Sequence, residues 1–311
     1  MKDARRIFDF LLECSERGER SALLTLTAII GSSSRALGAH MAVSEGGRQI
    51  GSFSGGCVEA AIAAEARRII ADGKAATLRF GAGSPFIDIR LPCGGGIDVL
   101  VTPDIEQGLL TDIMAMLDHR KPVLLRFSRD GGAGLVREPR EASTGWCGGD
   151  FFVRHDPGLR LLILGHGEEP LALSRLATTY GADITVLSPE EEIIEMVTAM
   201  GATGHHLRTC SRSPWLASDE HSAIVLLFHD HDWEEELLFQ ALEQKAFFIG
   251  AMGSRATHAR RMDRLRQMGM DQAGLDRLWG PIGLIPATRD PDTLALSIMA
   301  QIVQHYNALV R

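Results

Sequence analysis

The stretch Leu161-Leu162-Ile163-Leu164-Gly165-His166-Gly167-Glu168-Glu169-Pro170 decides the reading of the fold. An apolar run, a turn holding two glycines and then a helical pattern form a strand–turn–helix unit, the opening move of a Rossmann-type α/β domain. Downstream, strand-like and helix-like runs alternate: Arg160–Leu164, Leu171–Tyr180, Asp183–Leu187, Glu190–Met200, Ala223–Phe228, Glu234–Lys245 and Phe247–Gly250. Such alternation predicts right-handed βαβ crossovers and a parallel sheet. Two helices follow, Ala256–Met268 and Asp292–Leu309, the second with Asp290 as N-cap and Pro291 at the first helical position.

Upstream of Leu161 the pattern is α/β with mixed pairing. A helix over Ile7–Cys14 stops at Gly18, Leu23–Ile30 is a strand, and Ala39–Ser44 with Arg48–Phe53 form a hairpin around Glu45-Gly46-Gly47. A helix from about Cys57 to Ala71 ends at Gly73. Short strands at Ala75–Phe80, Phe86–Leu91 and Ile97–Val101, a helix near Ile105–Leu117 and a strand at Val123–Phe127 complete this half. Between Ser128 and Pro157 the periodicity is the weakest in the chain. The expectation is therefore an N-terminal mixed α/β domain over residues 1–153, a linker at about 154–157, and a Rossmann-like parallel-sheet domain over 158–311.

The bulk composition narrows the partners. In 311 residues, 40 acidic side chains oppose 32 basic ones, for a net charge of -8, and no long basic block occurs, so nucleic acid is not an expected partner. Apolar runs such as Ser21–Gly31 and Leu159–Gly165 fall well short of the ~20 residues that span a bilayer. The first residues alternate charge with apolar side chains as an amphipathic helix does and lack a signal-peptide core, which predicts a cytoplasmic protein without a membrane span. Cys14, Cys57, Cys93, Cys147 and Cys210 are scattered, with no CxxC, which argues against a disulfide framework or a structural zinc.

Two of those cysteines sit in glycine loops. Cys57 follows Ser54-Gly55-Gly56 at a helix start, where amide groups and the helix dipole favour a thiolate. Cys93 lies in Pro92-Cys93-Gly94-Gly95-Gly96, where the absence of side chains lets a bulky ligand approach the backbone. Either could equally be a small buried residue in a tight turn. Gly31-Ser32-Ser33-Ser34-Arg35 with Gly38-Ala39-His40-Met41 adds hydroxyls, a guanidinium and glycines suited to anions, set against a plain solvent turn. In the second half, His229-Asp230-His231-Asp232 closes an apolar strand at the edge where open α/β sheets bind ligands, with a metal or proton-relay role set against Asp232 as a plain helix cap. Gly250-Ala251-Met252-Gly253-Ser254-Arg255 is a second strand-to-helix anion turn.

The fingerprint at Gly165 and Gly167 is imperfect for NAD(P). Pro170 takes the third glycine position, Glu168 and Glu169 crowd the place of a pyrophosphate, and Ser188 stands where an acid would hold a ribose. A nicotinamide-dependent oxidoreductase is thus the alternative rather than the leading reading.

Taken together, Gly51-Ser52-Phe53-Ser54-Gly55-Gly56-Cys57-Val58-Glu59, Leu91-Pro92-Cys93-Gly94-Gly95, Phe228-His229-Asp230-His231, Ile249-Gly250-Ala251-Met252-Gly253-Ser254-Arg255 and Pro281-Ile282-Gly283-Leu284 resemble the XdhC/CoxI family of accessory proteins for molybdenum hydroxylases. The segments occur in order from about Leu23 onward. The chain differs from the family pattern at Ser33-Ser34, where Thr-Pro is usual, at Glu168, Glu169 and Pro170, and at Ser188. The resemblance implies transient binding of the molybdenum cofactor (molybdopterin), protection of it during exchange of an oxo for a sulfido ligand, and delivery to an apo molybdenum hydroxylase of the xanthine dehydrogenase type. It also implies a cysteine desulfurase as partner and a homodimer. On that reading the chain is a carrier rather than a free-standing enzyme, with Cys57 and Cys93 as reactive groups. Ser54, Gly55, Gly56, Gly94, Gly95, Arg35, Gly165, Gly167, His229, Asp230, His231, Gly253, Ser254 and Arg255 would contact the cofactor, and no metal site is assigned. A scaffold that only joins desulfurase to hydroxylase is a further alternative.

Overall fold

The computed structural model describes residues 2–54, 58–85, 94–136 and 143–310. The chain divides into two compact units, Met1–Pro157 and Gly158–Arg311.

In the first unit the elements run α1 (Lys2–Glu16), β1 (Ser21–Ile30), β2 (His40–Ser44), β3 (Gln49–Gly51), α2 (Glu59–Asp72), β4 (Ala76–Gly81), β5 (Gly96–Pro103), α3 (Gln107–Asp118), β6 (Val123–Ser128), β7 (Ala133–Leu135), β8 (Gly145–Cys147) and β9 (Asp150–His155). They build one sheet in the order β3-β2-β1-β5-β4 and a second in the order β7-β6-β9-β8. Strand alternation sets the layers. Ala22, Leu24 and Leu26 of β1 face a core with Ile62, Ala66 and Ile70 of α2. Leu23, Ala42 and Leu100 face the other way, onto α1, α3 and the Phe127, Phe151 and Val153 face of the second sheet.

Three expectations need correction here. Every strand pair described in this unit is antiparallel, where mixed pairing was expected, because consecutive short strands close as hairpins and neighbours. The described part of the weakly periodic stretch after Ser128 holds β7, β8 and β9, of which β7 and β8, with three residues each, are too short to show alternation. Arg154 and His155, expected in the linker, end β9, with His155 buried. The expected strand Phe86–Leu91 lies outside the described residues.

The second unit runs β10 (Arg160–Gly165), α4 (Glu168–Tyr180), β11 (Asp183–Ser188), α5 (Glu191–Ala199), β12 (Thr203–His206), β13 (Ser222–Leu227), α6 (His231–Glu243), β14 (Phe248–Ala251), α7 (Arg255–Gln267), α8 (Gln272–Leu275), β15 (Leu278–Trp279) and α9 (Pro291–Leu309). All its described strand pairs are parallel, in the order β12-β11-β10-β13-β14-β15. The chain starts in the middle, winds to one edge and then to the other, so the direction of winding reverses between β10 and β13. Leu161 and Ile163 point to the layer of α4, α5 and α9, while Leu162 and Leu164 point to the layer of α6, α7 and α8. Each such side chain contributes about 1.5–3 kcal/mol by leaving water. Asp290 caps α9 through Thr293 N–H, with Pro291 in the first turn. Among the described residues no helix is long and apolar enough to cross a membrane.

Candidate functional site

The antiparallel register of the first sheet gathers its loops at one edge. Ile30 at the end of β1 lies opposite Gly96 at the start of β5, Gly81 at the end of β4 also lies opposite Gly96, and Gly51 at the end of β3 lies opposite Met41 near the start of β2. The segments that follow β1, follow β3 and precede β5 therefore emerge together. Contacts among described residues bind them: a Cβ on Gly31 would stand 3.5 Å from the Gly95 Cα, and the Ser34 hydroxyl donates to the Phe53 carbonyl at 3.5 Å. Arg35, exposed on the first of these loops, donates its amide to the Ser33 hydroxyl.

Glu59, the first residue of α2, organises this edge. Its carboxylate accepts from the amides of Phe53 (3.0 Å), Ser54 (2.7 Å) and Val58 (3.1 Å) and from the hydroxyls of Ser52 (2.7 Å) and Ser54 (2.9 Å). Burial by itself raises a carboxyl pKa, but here the hydrogen bonds from Ser54 and Ser52 outweigh it and hold Glu59 at about 2. The acid thus fastens both ends of the loop that carries Gly55, Gly56 and Cys57. Those three residues, like Cys93, lie outside the described residues. Of the flanking positions singled out by sequence, Ser54 is tied to Glu59, Gly94 is exposed, and Gly95 is buried with its carbonyl accepting from Ala82 N–H.

Behind the loops is a cavity of about 220 Å³ whose wall includes Ser34, Arg35, His40, Ser52 and His155. His40 and His155 are buried with their Nε2 atoms 3.0 Å apart. Burial lowers His40 to about 4 and drives His155 well below the ordinary histidine value. His155 does not stand out in the sequence as a site residue, and His40 is marked there only within the anion loop Gly38-Ala39-His40-Met41, of which His40 and Met41 instead begin β2.

In the second unit the turn after β10 is tightly built. A Cβ on Gly165 would meet the Leu227 carbonyl at 2.6 Å and Pro170 Cγ at 2.9 Å, so the third position of the fingerprint is filled by a ring lying against the first glycine. The Gly167 amide, at the start of α4, is already donated to Glu190 Oε2 at 3.0 Å. Glu169 Oε1 lies 3.1 Å from His229 Nε2, across the point where winding reverses, with the His166 ring 5.8 Å from that of His229. Ser188 is buried and its hydroxyl accepts from the Glu190 amide. The acid associated with this turn is hence Glu190, two residues beyond the position to which the fingerprint points. Its place at the N-cap of α5 is the available signal.

The residues His229 to Asp232 separate in role. Asp230, not Asp232, is the N-cap of α6, its carboxylate accepting from the Asp232 amide at 2.9 Å. His231 begins that helix. Among the described residues no group of three or more His, Cys, Asp or Glu side chains is placed to hold a metal ion.

A cleft of about 1030 Å³ opens at the carboxyl ends of β13 and β14. It brings together His229, Gly253, Ser254 and Arg255 with Glu169, while Gly165, Gly167 and Asp230 are not part of its wall. Ser254 caps α7 by accepting from Thr257 N–H at 3.1 Å, so its hydroxyl serves the helix first. Arg255 opens that helix, where dipole and guanidinium both favour an anion. The opposite wall is the segment after β15, including Ile282, Leu284, Ile285 and Arg289, of which the sequence pattern marks only the short Pro-Ile-Gly piece.

A Rossmann-type unit whose phosphate turn is closed by its own carboxylates, joined to an antiparallel α/β unit that presents glycine loops at one edge, defines a class distinct from ordinary dinucleotide enzymes. Residues 161–302 match the family described as the XdhC Rossmann domain, and residues 14–81 match the XdhC and CoxI family. The chain is 36% identical over 300 residues to the molybdenum cofactor insertion chaperone PaoD of Escherichia coli (strain K12), covering 96% of this chain and 88% of that protein. A protein of Bacillus subtilis (strain 168) named as a probable xanthine dehydrogenase subunit is 23% identical over 344 residues, covering 98% of each chain. A crystal structure described as a xanthine dehydrogenase from Bacillus halodurans has the same fold, with a TM-score of 0.75 at 22% identity over 97% of this chain and 96% of that one. The chain belongs to the XdhC and CoxI family.

Proposed function

We propose that this chain is a maturation chaperone that holds the molybdenum cofactor as cargo and supports its sulfuration and insertion into a molybdenum hydroxylase of the xanthine dehydrogenase type. The observation that carries this reading is the 36% identity, along 96% of the chain, to a protein named a molybdenum cofactor insertion chaperone. The loop edge of the first unit suits it physically. Glu59 consumes the inward amides of the loop around Ser54 and leaves the intervening Gly55-Gly56-Cys57 segment bounded by two fixed ends. Gly94 and Gly95, which follow Cys93 in the sequence, stand at the same edge, and Arg35 supplies a cation for an anionic cargo. In this proposal the two thiols face the cargo, a cysteine desulfurase supplies the sulfur, and the chain acts as a homodimer. Within the second unit, the wide cleft at Arg255 and His229 is a separate surface suited to an anion.

The test is maturation of a partner hydroxylase in a host lacking this chain. Wild-type protein restores hydroxylase activity, and Cys93→Ala restores markedly less while accumulating to the same level as folded protein. Full restoration by Cys57→Ala/Cys93→Ala would contradict the role given to the thiols, and no restoration by wild type would remove the maturation role.

A further inference from the structure

Between α6 and α7, away from the glycine loops and outside the wide cleft, lies a cavity of about 230 Å³. Leu238, Leu265 and Met268 give it an apolar wall, and Arg260, Arg261 and Arg264 stand around it with Glu234 and Glu235. Arg261 is the unusual member, since its side chain is only 5% exposed. One of its nitrogens, Nη2, donates to Glu234 Oε1 at 2.7 Å and to the Met252 carbonyl at 2.8 Å. The other two, Nε and Nη1, are buried with no hydrogen-bond partner. A guanidinium stays protonated in proteins, so these N–H groups cannot be silenced by losing a proton. Leaving a buried charged donor unmet is costly, and native structures keep such groups for a reason.

The charges at the cavity show what would meet them. Glu234 is matched to Arg261 and Glu235 to Arg264 at 2.9 Å, which leaves Arg260 in excess and the cavity net positive by one. A dianion would meet the two resident carboxylates, whereas a monoanion is balanced by the surplus. Three apolar side chains provide contact for a short hydrocarbon body. We propose that this cavity binds a monocarboxylate with a short apolar tail, its carboxylate against Arg261 and its tail against Leu238, Leu265 and Met268. Because Arg261 also holds the Met252 carbonyl, just before Gly253 and Ser254, an occupant here is linked through one side chain to a wall of the wide cleft. The proposal does not depend on the identity of the cargo.

The experiment is calorimetric titration of the full chain with hexanoate, and in parallel with hexanol and inorganic phosphate. Hexanoate binds with one site per chain, hexanol binds at least about ten-fold more weakly because the charge-assisted hydrogen bond is missing, and phosphate does not compete. Met268→Trp, which fills the cavity from its rim and leaves Arg261 in place, abolishes hexanoate binding without lowering the melting temperature. Arg261→Met should also abolish it, but this variant strands Glu234, so Met268→Trp decides if Arg261→Met does not fold. Absence of hexanoate binding to wild type, equal binding of hexanol, tighter binding of phosphate, or full retention of hexanoate by Met268→Trp would each overturn the proposal.

Discussion

At the loop edge of the first unit a single buried carboxylate, Glu59, accepts from three amides and two hydroxyls and so fixes the residues on either side of Gly55-Gly56-Cys57. At the turn of the second unit two acids act from outside: Glu190 takes the Gly167 amide and Glu169 meets His229. The same functional group therefore does opposite work. In the first case the acid accepts from amides on either side of the glycines and fixes their flanks, whereas in the second it occupies an amide to which a pyrophosphate would bind. The difference teaches that glycines after a strand specify backbone shape, and that the neighbouring carboxylates decide whether the shape is available to an anion.

Acid should separate the two units most strongly. His40 and Glu59 each bind a proton more weakly in the folded chain than in the unfolded one, so the stability they confer is intact above pH 6.5. As pH falls from 6.5 to about 4 the His40 share is lost, and as it falls from 4.5 to about 2 the Glu59 share follows. Each share is about 3 kcal/mol. Urea unfolding at a series of pH values, followed by Trp146 fluorescence in a variant whose other tryptophans are replaced by phenylalanine, should show this two-stage loss. A flat profile down to pH 4 would contradict the burial of the histidine pair. In Glu59→Gln the stage below pH 4.5 should vanish.

Replacing Glu59 by Ala strands the donors of Ser52, Phe53, Ser54 and Val58 and should cost about 3 kcal/mol, read as a lower urea midpoint. A change within error would mean that the loop is fixed by something else. In the second unit, Gly165→Ala drives a methyl into the Leu227 carbonyl and should cost about 2 kcal/mol. A neutral effect would show that β10 and β13 can part at their ends. The smallest effect concerns nucleotide: NAD(H) or NADP(H) in large excess should not raise the melting temperature of wild type, because ligand binding to the native state must show as stabilisation. A clear shift would reopen the oxidoreductase reading, and the same titration on Glu190→Gln reports whether freeing the Gly167 amide restores affinity.

Much of the second unit was legible because its central strands β10, β13 and β14 are buried on both faces and its helices carry end signals: Asp290-Pro291 starts α9 where the sequence places it. The first unit was legible less completely. β7 and β8 have three residues each, too few for alternation to register. The site was legible as loops but not as chemistry. Glu59 is one acid in the first turn of a helix, and only its buried position at the foot of the loop reveals that it serves Ser52, Ser54 and Val58. His40 and His155 are brought together by the packing of two sheets, a contact that no local pattern encodes. Asp232 was the cap that the sequence suggested, and the helix start at His231 gives that place to Asp230 instead.

The central claim, that the glycine-cysteine edge of the first unit carries the molybdenum cofactor, is tested most directly by the pterin and molybdenum content of protein purified from a cofactor-producing host. Wild type should carry both in constant ratio, and Cys57→Ala/Cys93→Ala, folded with an unchanged melting temperature, should carry neither. Wild type free of pterin, or a double variant loaded as fully as wild type, would contradict it.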